Sequence, residues 1–350
     1  MSLEFDFPLF LSPEELDALL NKGWFRMREN VFTTHYYIRN ADLLSTVWLR
    51  STLTDYRFSK SQRKHLRGLH RRYDIQFAPL VLTQEHEDLY QRYLTVAKGD
   101  RSTTVEGVLG DVECVVFKSQ MLEVRDPEDD NRLIAMSVFD IGATALQSII
   151  GMYDPDYEED SLGVYTMLLE VEWAIDQGYE LYYIGYFTPG FSTFDYKLRL
   201  KNLQFLNPDI QQWFAIDQLN IDLLWSSQHV RRLQNVKQFL TTHGLESAIR
   251  LNVFYDTIIL HSLGETYLDE PIFLDMRLQT NLRMGHLCYF SVQEQVYKLY
   301  LVDYEARHTT NSRYQDMTGR WPIHDSLIRK THFIAEATTP EALMREVWGA

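Results

Sequence analysis

The stretch SLGVYTMLLEVEWAIDQGYELYYIGYF, residues 161–187, decides the fold prediction. Its first part, residues 161–177, is typical of a helix, and Gly178 supplies the glycine that favours a helix end. Residues 179–187 are almost continuously apolar, which is the pattern of a strand in the middle of a sheet. The sequence therefore predicts a central strand that follows directly on a helix.

Upstream of this stretch, turn-rich segments separate four β-rich runs, which predicts a meander of strands at residues 112–118, 120–125, 133–141 and 146–153. Before the meander, the patterns predict a helix at residues 60–73, a strand at 75–77 and another helix at 83–96. This order resembles an acyltransferase of the GCN5-related N-acetyltransferase (GNAT) class, with a mixed, mainly antiparallel sheet and flanking helices. Many α+β sheets share the order, so the argument about function depends on motifs.

The rest of the chain predicts two further units, so that the whole protein is expected to be α+β. Residues 1–74 form a small N-terminal α/β module with a helix capped by Ser12 and strands between 24 and 50, followed by the GNAT-like domain at 75–207. Residues 208–350 form an additional C-terminal α+β domain of unknown role. Within it we expect a helix at 209–243, strands at 250–261, 270–277 and 287–304, and a last helix at 340–347.

Composition restricts the class of protein. Hydrophobic residues make up 45% of the 350, which is typical of folded domains. Cys114 and Cys288 are the only cysteines, both in apolar surroundings, and the eleven histidines are scattered. A zinc site needs clustered ligands, so the sequence predicts no metal, no disulfide and no cofactor.

The N-terminal residues do not have the pattern of a targeting segment. Glu4 and Asp6 interrupt the apolar residues, and no basic segment precedes them. No uncharged run approaches the roughly 18 residues expected of a membrane span. We therefore expect a cytoplasmic protein without membrane contact.

One segment departs from the net charge of −15. Five basic residues recur at three- and four-residue intervals and share one face of the helix predicted at 60–73: Lys60, Arg63, Lys64, Arg67 and Arg71. Such a face, without interleaved carboxylates, is suited to the phosphates of a tRNA backbone. A solvated helix face fits the same residues, and the sequence leaves both interpretations open.

Several motifs carry a resemblance to a known family. They are YDPD at 153–156, SLGVY at 161–165, YYIGYF at 182–187 and Tyr196-Lys197, with the weaker SKSQRK at 59–64. Their order and spacing resemble the arginyl-tRNA–protein transferase family, including the bacterial members that transfer leucine to proteins beginning with aspartate or glutamate. The similarity spans roughly residues 12–205.

The resemblance implies an enzyme. Members of this family are aminoacyltransferases that take arginine or leucine from a charged tRNA and add it to the N-terminus of an acceptor protein, which marks the acceptor for degradation. The expected partners are therefore an aminoacyl-tRNA and the N-terminus of a protein that begins with an acidic residue.

Transfer from an ester to an amine requires alignment of the two reactants and removal of a proton. We predict Asp140, Glu170 and Tyr186 as the catalytic residues. The motifs predict a substrate-binding set: Tyr153, Asp154, Asp156, Ser161, Gly163, Tyr165, Tyr183, Gly185, Tyr196 and Lys197. A turn at 153–156, a helix cap at Ser161 and packed tyrosines explain parts of this set equally well.

The chain also departs from the family pattern. Residues 34–48 lack the usual Cys-x-x-Cys pair, and residues 190–194 read GFSTF where the family has Gly-Cys-Pro-Lys-Met. Two alternative functions remain open. The first is a GNAT-like enzyme that uses another donor such as acetyl-coenzyme A, although residues 156–163 read DYEEDSLG and place acidic groups beside the expected pyrophosphate. The second is a catalytically silent binding protein.

Overall fold

A computed structural model describes residues 3–97, 101–111, 116–255, 266–276, 283–305, 319–324 and 326–348, with side chains up to 345. The chain is α+β and contains mixed sheets, so the predicted fold class is confirmed at this level. In the described part of the chain, no helix is long and apolar enough to cross a bilayer. Cys114 and most of the strand predicted at 112–118 fall outside the described residues, and residues 116–118 are not part of a strand.

The N-terminal residues form one helix and two small sheets. Helix α1 (Pro13–Asn21) begins with a capping box in which the Ser12 hydroxyl accepts from the Glu15 amide and the Glu15 carboxylate accepts from the Ser12 amide. Strands β1 (Leu3–Asp6), β2 (Phe25–Met27) and β3 (Asn30–Thr34) make an antiparallel sheet, and β4 (Tyr36–Arg39) and β5 (Asp42–Ser45) make a hairpin.

An eight-stranded sheet forms the centre of the molecule. Its strands are β6 (Val47–Thr52), β7 (Asp74–Pro79), β8 (Ser119–Asp126), β9 (Arg132–Ile141), β10 (Ala145–Tyr153), β11 (Leu181–Phe187), β12 (Leu203–Asn207) and β13 (Gln212–Ala215). The spatial order is β13-β12-β6-β11-β10-β9-β8-β7, and all neighbours are antiparallel except β10 and β11, which are parallel. The strands predicted at 75–77, 120–125, 133–141, 146–153 and 179–187 are thus confirmed.

Helices cover both faces of this sheet. Helix α5 (Leu162–Asp176) packs on one face against Ile134 and Phe139 of β9, and α3 (Gln84–Leu94) packs against Leu133 and Val138. Because both faces of β9 are covered, nine of its ten residues are buried. The short helix α4 (Val105–Leu109) joins the α3 side.

The basic segment is a helix, as predicted. Helix α2 (Lys60–Arg72) begins at a capping box between Ser59 and Gln62 and buries Leu66 and Leu69 against α5. All its lysine and arginine side chains are exposed.

The C-terminal residues form a second sheet with two helices. Its strands are β14 (Ala248–Asn252), β15 (Ile272–Asp275), β16 (Met284–Ser291), β17 (Val296–Glu305), β18 (Ile323–His324) and β19 (Leu327–Ala337), in the order β18-β14-β15-β16-β17-β19. Helices α6 (Trp225–Thr242) and α7 (Pro340–Trp348) pack on it. The single strand predicted at 287–304 is a hairpin, because the chain reverses at residues 292–295.

The prediction of a helix at 209–243 is wrong in its first half. Residues 212–215 form β13 at the edge of the central sheet, where Trp213 packs on Tyr183 and Phe214 on Phe205. Two 3₁₀ turns, Ile216–Gln218 and Ile221–Leu223, then precede α6. Trp213 and Phe214 are adjacent and therefore point to opposite faces of β13, where each packs on another aromatic ring. These sheet contacts prevail over helix propensity.

Residues of the predicted N-terminal module contact both the central sheet and the C-terminal residues. Strand β6 belongs to the central sheet, whereas Tyr36, Ile38 and Leu43 of β4 and β5 pack into the core of the C-terminal residues. The Ser45 and Ser226 hydroxyls lie 2.8 Å apart across this contact. The division at residues 74 and 207 stays a prediction.

Candidate active site

The central sheet splits between its two parallel strands. Strands β10 and β11 pair only over three residues each, 145–147 with 181–183, although both continue beyond that point. Each strand carries an irregularity where pairing stops, between Ser148 and Ile150 in β10 and between Tyr183 and Gly185 in β11. Since bulges bend a strand, the two strands diverge and leave a gap in the sheet.

A cavity of about 590 Å³ occupies this gap. Its walls come from five places: β10 at residues 148–153, Ile184 of β11, the residues before and within the first half of α5, the end of α3 with the residues that follow it, and the segment 192–197. Of the predicted site residues, six line it: Tyr153, Ser161, Gly163, Glu170, Tyr196 and Lys197. The structure therefore brings together residues that lie up to 44 positions apart in the sequence.

Glu170 is the buried acid of the cavity. Its side chain, on α5, is 1% exposed, and its Oε2 accepts a hydrogen bond of 2.5 Å from the Tyr182 hydroxyl. Burial raises the pKa of Glu170 to about 7, which the nearby hydroxyls of Ser137, Tyr182 and Ser148 partly oppose. No described residue donates a well-formed hydrogen bond to its Oε1. Glu170 therefore combines the pKa of a general base with a free acceptor atom.

Lys197 is a cation of the same cavity. It lies in a 3₁₀ segment, Ser192–Arg199, and its Nζ donates a 2.6 Å hydrogen bond to the carbonyl of Tyr186. Burial lowers the pKa of Lys197 to about 7, and the positive charge of Arg101 adds to this effect. A negatively charged ligand would stabilise the protonated form of Lys197 and so raise its pKa again.

Gly185 permits the bend that places Lys197. Its φ of +73° lies in the region that favours glycine, at the irregularity in β11. A Cβ at this position would lie 3.3 Å from Lys197 Nζ. Gly185 lies outside the cavity wall, and its predicted binding role is better described as positioning Lys197.

The start of α5 forms the floor between two concave regions. Ser161 has a left-handed conformation (φ +53°) and its side chain caps no amide, so the N-cap interpretation is not supported. Gly163 allows the ring of Tyr153 to approach, since a Cβ there would lie 3.1 Å from Tyr153 Cε1. The close approach inferred for Gly163 is thus to the neighbouring strand.

A groove of about 910 Å³ adjoins the cavity beneath α2. Ser161 and Val164 line both regions. The groove runs between α2 and the segment 198–201, and its basic residues include Lys64, Arg199 and Lys201. The predicted tRNA-binding residues Lys60, Arg63, Lys64, Arg67 and Arg71 are exposed, and none forms an ion pair within the described residues.

Asp140 is not brought into the cavity. It is fully buried on β9, where Oδ1 accepts from Arg26 at 2.8 Å and from the Ser119 hydroxyl at 2.6 Å. Arg26 also donates to the carbonyl of Leu109. A carboxylate held in this way joins β2 to the central sheet, so the geometry gives Asp140 a structural part and does not support its predicted catalytic role.

The two aspartates of the YDPD motif lie beside the cavity rather than in it. Asp154 is buried and binds both Arg92, at 3.0 Å, and Arg132, at 2.5 Å. It also accepts from the amide of Asp156, which caps the 3₁₀ turn Pro155–Asp160, and Asp156 itself binds Arg132 at 3.0 Å. This network stabilises the turn that leads into α5. The two aspartates therefore have the structural role in a turn that the sequence also allowed.

Three tyrosines predicted as substrate-binding or catalytic face other parts of the structure. Tyr183 and Tyr186 point to the sheet face opposite Tyr182, where Tyr183 packs at right angles to Trp213 and Tyr186 to Trp48. Tyr165 is buried against His65, with ring centroids 3.6 Å apart. Strand alternation explains Tyr183, which is adjacent to Tyr182. Tyr186 shares its face because the irregularity between Tyr183 and Gly185 shifts the alternation by one residue.

Some cavity residues were not predicted from the sequence. Tyr93 lines the cavity and lies within a predicted helix, so helical spacing was an available signal. Tyr182 does not line the cavity but donates to Glu170, and strand alternation within the YYIGYF motif was its signal. Arg101 carries no sequence signal, because it enters the cavity wall from a loop after α3. Its guanidinium lies 5.9 Å from the ring of Tyr93.

The described residues contain no group of three or more histidine, cysteine, aspartate or glutamate side chains arranged to hold a metal ion. The aromatic residues that replace the family's Gly-Cys-Pro-Lys-Met pattern instead pack together. Phe191 and Phe194 lie 5.8 Å and 6.1 Å from the ring of Tyr37, measured between centroids.

Comparison with known proteins shows what this chain is similar to. Residues 85–207 match the family model described as arginine-tRNA-protein transferase, C terminus. An aspartate/glutamate leucyltransferase of Ruegeria pomeroyi is 29% identical over 203 residues, which cover 55% of this chain and 69% of that protein. A protein of the same name from Leptospira interrogans is 27% identical over 222 residues, covering 61% and 83%.

Solved structures add little. A GCN5-related glucosamine N-acetyltransferase region of a fungal multi-domain enzyme matches 55% of this chain and 21% of that one with 14% identity and a TM-score of 0.29. A TM-score this low does not show a common fold.

Replacing Glu170 by glutamine is expected to stabilise the protein at alkaline pH. The folded pKa of about 7 lies above the ordinary 4.5, so the cost of burying the carboxylate is absent below pH 4.5, grows between these values and is complete above pH 7. At about 1.4 kcal/mol per pKa unit, the free energy of unfolding of Glu170→Gln should exceed that of the wild type by roughly 3 kcal/mol at pH 8.

Urea denaturation at pH 5 and pH 8 measures this difference. The exposed Glu159 supplies a matched control, since Glu159→Gln removes the same charge from the protein surface. A Glu170→Gln variant whose advantage is the same at both pH values would contradict the raised pKa.

Proposed function

We propose that this chain, which belongs through residues 85–207 to the arginine-tRNA-protein transferase family, transfers an amino acid from a charged tRNA to the N-terminus of an acceptor protein. The observation that carries the proposal is the junction of a cavity containing Glu170 and Lys197 with a groove under a basic helix. The cavity suits an amine and an ester, and the groove suits a nucleic-acid strand.

The finer fold assignment, a GNAT-like domain, is part of this proposal. It draws on the parallel pair β10 and β11, whose strands separate beyond three residue pairs.

In the proposed reaction, the acceptor's α-amine attacks the ester carbonyl of the aminoacyl-tRNA. A C–N bond forms, the ester C–O bond breaks, and the ribose hydroxyl of the tRNA leaves. An α-amine has a pKa of about 7.7 to 8, so a base whose pKa is near 7 is well matched to take its proton. Glu170 fills this role, and Tyr182 positions it by donating to Oε2.

We propose an acidic first residue in the acceptor. Lys197 and Arg101 put two cationic groups in the cavity, and the lowered pKa of Lys197 means that a bound carboxylate would stabilise the ammonium. The relatives are named aspartate/glutamate leucyltransferases, which agrees with such an acceptor.

We propose leucine as the amino acid that is transferred, with arginine as the alternative. Apolar side chains contribute to the lining of the cavity, namely Val96, Ile149, Ile150, Met167 and Ile184. A leucyl side chain would be buried against them without an unpaired charge. Charged tRNA and nascent proteins meet in the cytoplasm, where we place the reaction, and the product would be marked for degradation.

The tRNA is proposed to lie along α2, with its 3′ end in the groove beneath. Arg63 and Arg67 hydrogen-bond only to carbonyl oxygens of residues 58 and 63 in the described structure, so their charges remain available to phosphates. Arg72 differs, because it forms two 3.0 Å hydrogen bonds with Asp160 and helps to hold α2 near α5.

The first test is the transfer reaction itself. Purified protein, leucyl-tRNA and a peptide beginning with aspartate are expected to yield a peptide longer by one leucine, measured by mass spectrometry. Arginyl-tRNA in place of leucyl-tRNA identifies the donor, and an N-acetylated peptide is the control that lacks a free amine. Absence of an extended peptide with both charged tRNAs would contradict the proposal.

A second test concerns the basic helix. Reversing three charges, Arg63→Glu, Arg67→Glu and Arg71→Glu, should weaken tRNA binding by about 10²-fold or more and flatten its dependence on salt, because counterion release scales with the number of phosphate contacts. Filter binding at several salt concentrations measures both effects.

A matched control reverses three exposed cations of the C-terminal helices: Arg231, Lys237 and Arg345. This variant has the same net charge and is expected to bind tRNA almost as the wild type does. Equal loss in both variants would indicate that only overall charge matters. Retained binding by the α2 variant would instead favour a catalytically silent module or a different donor.

A further inference from the structure

A second cavity, of about 580 Å³, lies among residues that the family match does not include. It is enclosed by Tyr36 of β4, the start of α6, residues 266–270 and three strands of the C-terminal sheet. The proposed transfer reaction uses none of these residues.

Aromatic rings form a large part of its wall. Tyr36, Trp225, Tyr289 and Tyr300 all line it. Tyr289 and Tyr300 stack with ring centroids 5.9 Å apart and planes at 8°. The faces of such rings are electron-rich and attract a positively charged ligand.

The charged residues of the cavity do not balance. Lys298 forms an ion pair with Glu294, and Lys330 Nζ lies 3.9 Å from Asp269 Oδ1. These pairs use both lysines and two of the three acidic residues. Glu270 is the acid that forms no ion pair with a lysine or arginine of the described residues, and its side chain is 19% exposed.

A buried histidine faces Glu270 without neutralising it. His229 is inaccessible to solvent, and its Nδ1 lies 2.8 Å from the Tyr36 hydroxyl. Its Nε2 points toward Glu270 Oε2 at 3.6 Å and has no hydrogen-bond partner among the described residues. Burial lowers the pKa of His229 to about 4, so the imidazole is neutral at physiological pH. Glu270 therefore lacks a cationic partner on this side.

We infer that this cavity binds a monovalent organic cation, a primary amine or a guanidinium group on an apolar stem, with Glu270 as its counter-ion and the tyrosine rings around the stem. Both the charge and the aromatic walls select for such a ligand. The ligand is either a free small molecule or a lysine or arginine side chain of a protein, since the two present the same chemistry.

Binding and ionisation of Glu270 are coupled. Burial and the adjacent Asp269 raise the pKa of Glu270 to about 8, while the positive charges of the N-terminal amine, Lys330 and Lys298 oppose this shift. A bound cation would lower the pKa again because it stabilises the carboxylate. Measurements at pH 8.5 therefore give a largely ionised Glu270 together with an amine that is still protonated.

Calorimetric titration of the full chain at pH 8.5 tests the inference. The probes are butylamine and butylguanidine, with butanol as the uncharged control, and blocked Gly-Lys-Gly and Gly-Arg-Gly peptides represent the protein source. The cationic probes should bind saturably and butanol should not. Preference for the small amines or for the peptides then identifies the source of the ligand.

Two variants locate the site. Glu270→Gln should weaken binding about tenfold or more, and Tyr300→Leu should weaken it less, since it removes only one aromatic wall. Glu246→Gln removes an equal charge from an exposed position and should leave the affinity unchanged. Saturable binding by none of the cations, or an unchanged affinity in both cavity variants, would overturn the inference. Transfer activity of the wild type plays no part in either outcome.

Discussion

The arrangement of the molecule depends on the short parallel contact between β10 and β11. These strands share only three residue pairs before bulges separate them, and a sheet with a gap must fill it with side chains or leave a cavity. The surrounding elements line the gap rather than close it: Gly185 allows β11 to bend beside Lys197, and the YDPD turn leads into α5, whose first residues form part of the wall. The proposed active site lies in this gap between the two strands.

The gap gives its residues unusual electrostatics. Withdrawal from water raises the pKa of Glu170 and lowers that of Lys197, so that both lie near 7 within one cavity. Groups of this kind are common at sites where protons move. The groove under α2 continues from the same cavity, which places exposed cations beside the two perturbed groups. An enzyme that joins an amine to an ester carried on a nucleic acid requires these two environments to be adjacent.

The family resemblance predicted from the motifs is confirmed by the match of residues 85–207, and most strands of the central sheet follow from their apolar runs. The site was harder to predict, because a motif does not say which face each side chain takes. Tyr183 and Tyr186 lie in the correct strand but on the opposite face from Tyr182. Asp140 is an acidic residue in a predicted strand and so was a reasonable catalytic candidate. Its ion-pair partner Arg26 lies 114 positions away in the sequence, and nothing in the sequence indicates that contact. Arg101 enters from a loop without a pattern.

The central claim is that Glu170 takes the proton from the acceptor amine. The most direct measurement is kcat/KM for peptide extension between pH 5.5 and 9, in the wild type and in Glu170→Gln. The wild-type rate should rise with pH through about 7 as Glu170 loses its proton, and again near 8 as the acceptor amine loses its own. The variant should be slower by about 10² to 10⁴ and keep only the rise near 8. A variant that keeps the wild-type rate and pH profile would contradict the account.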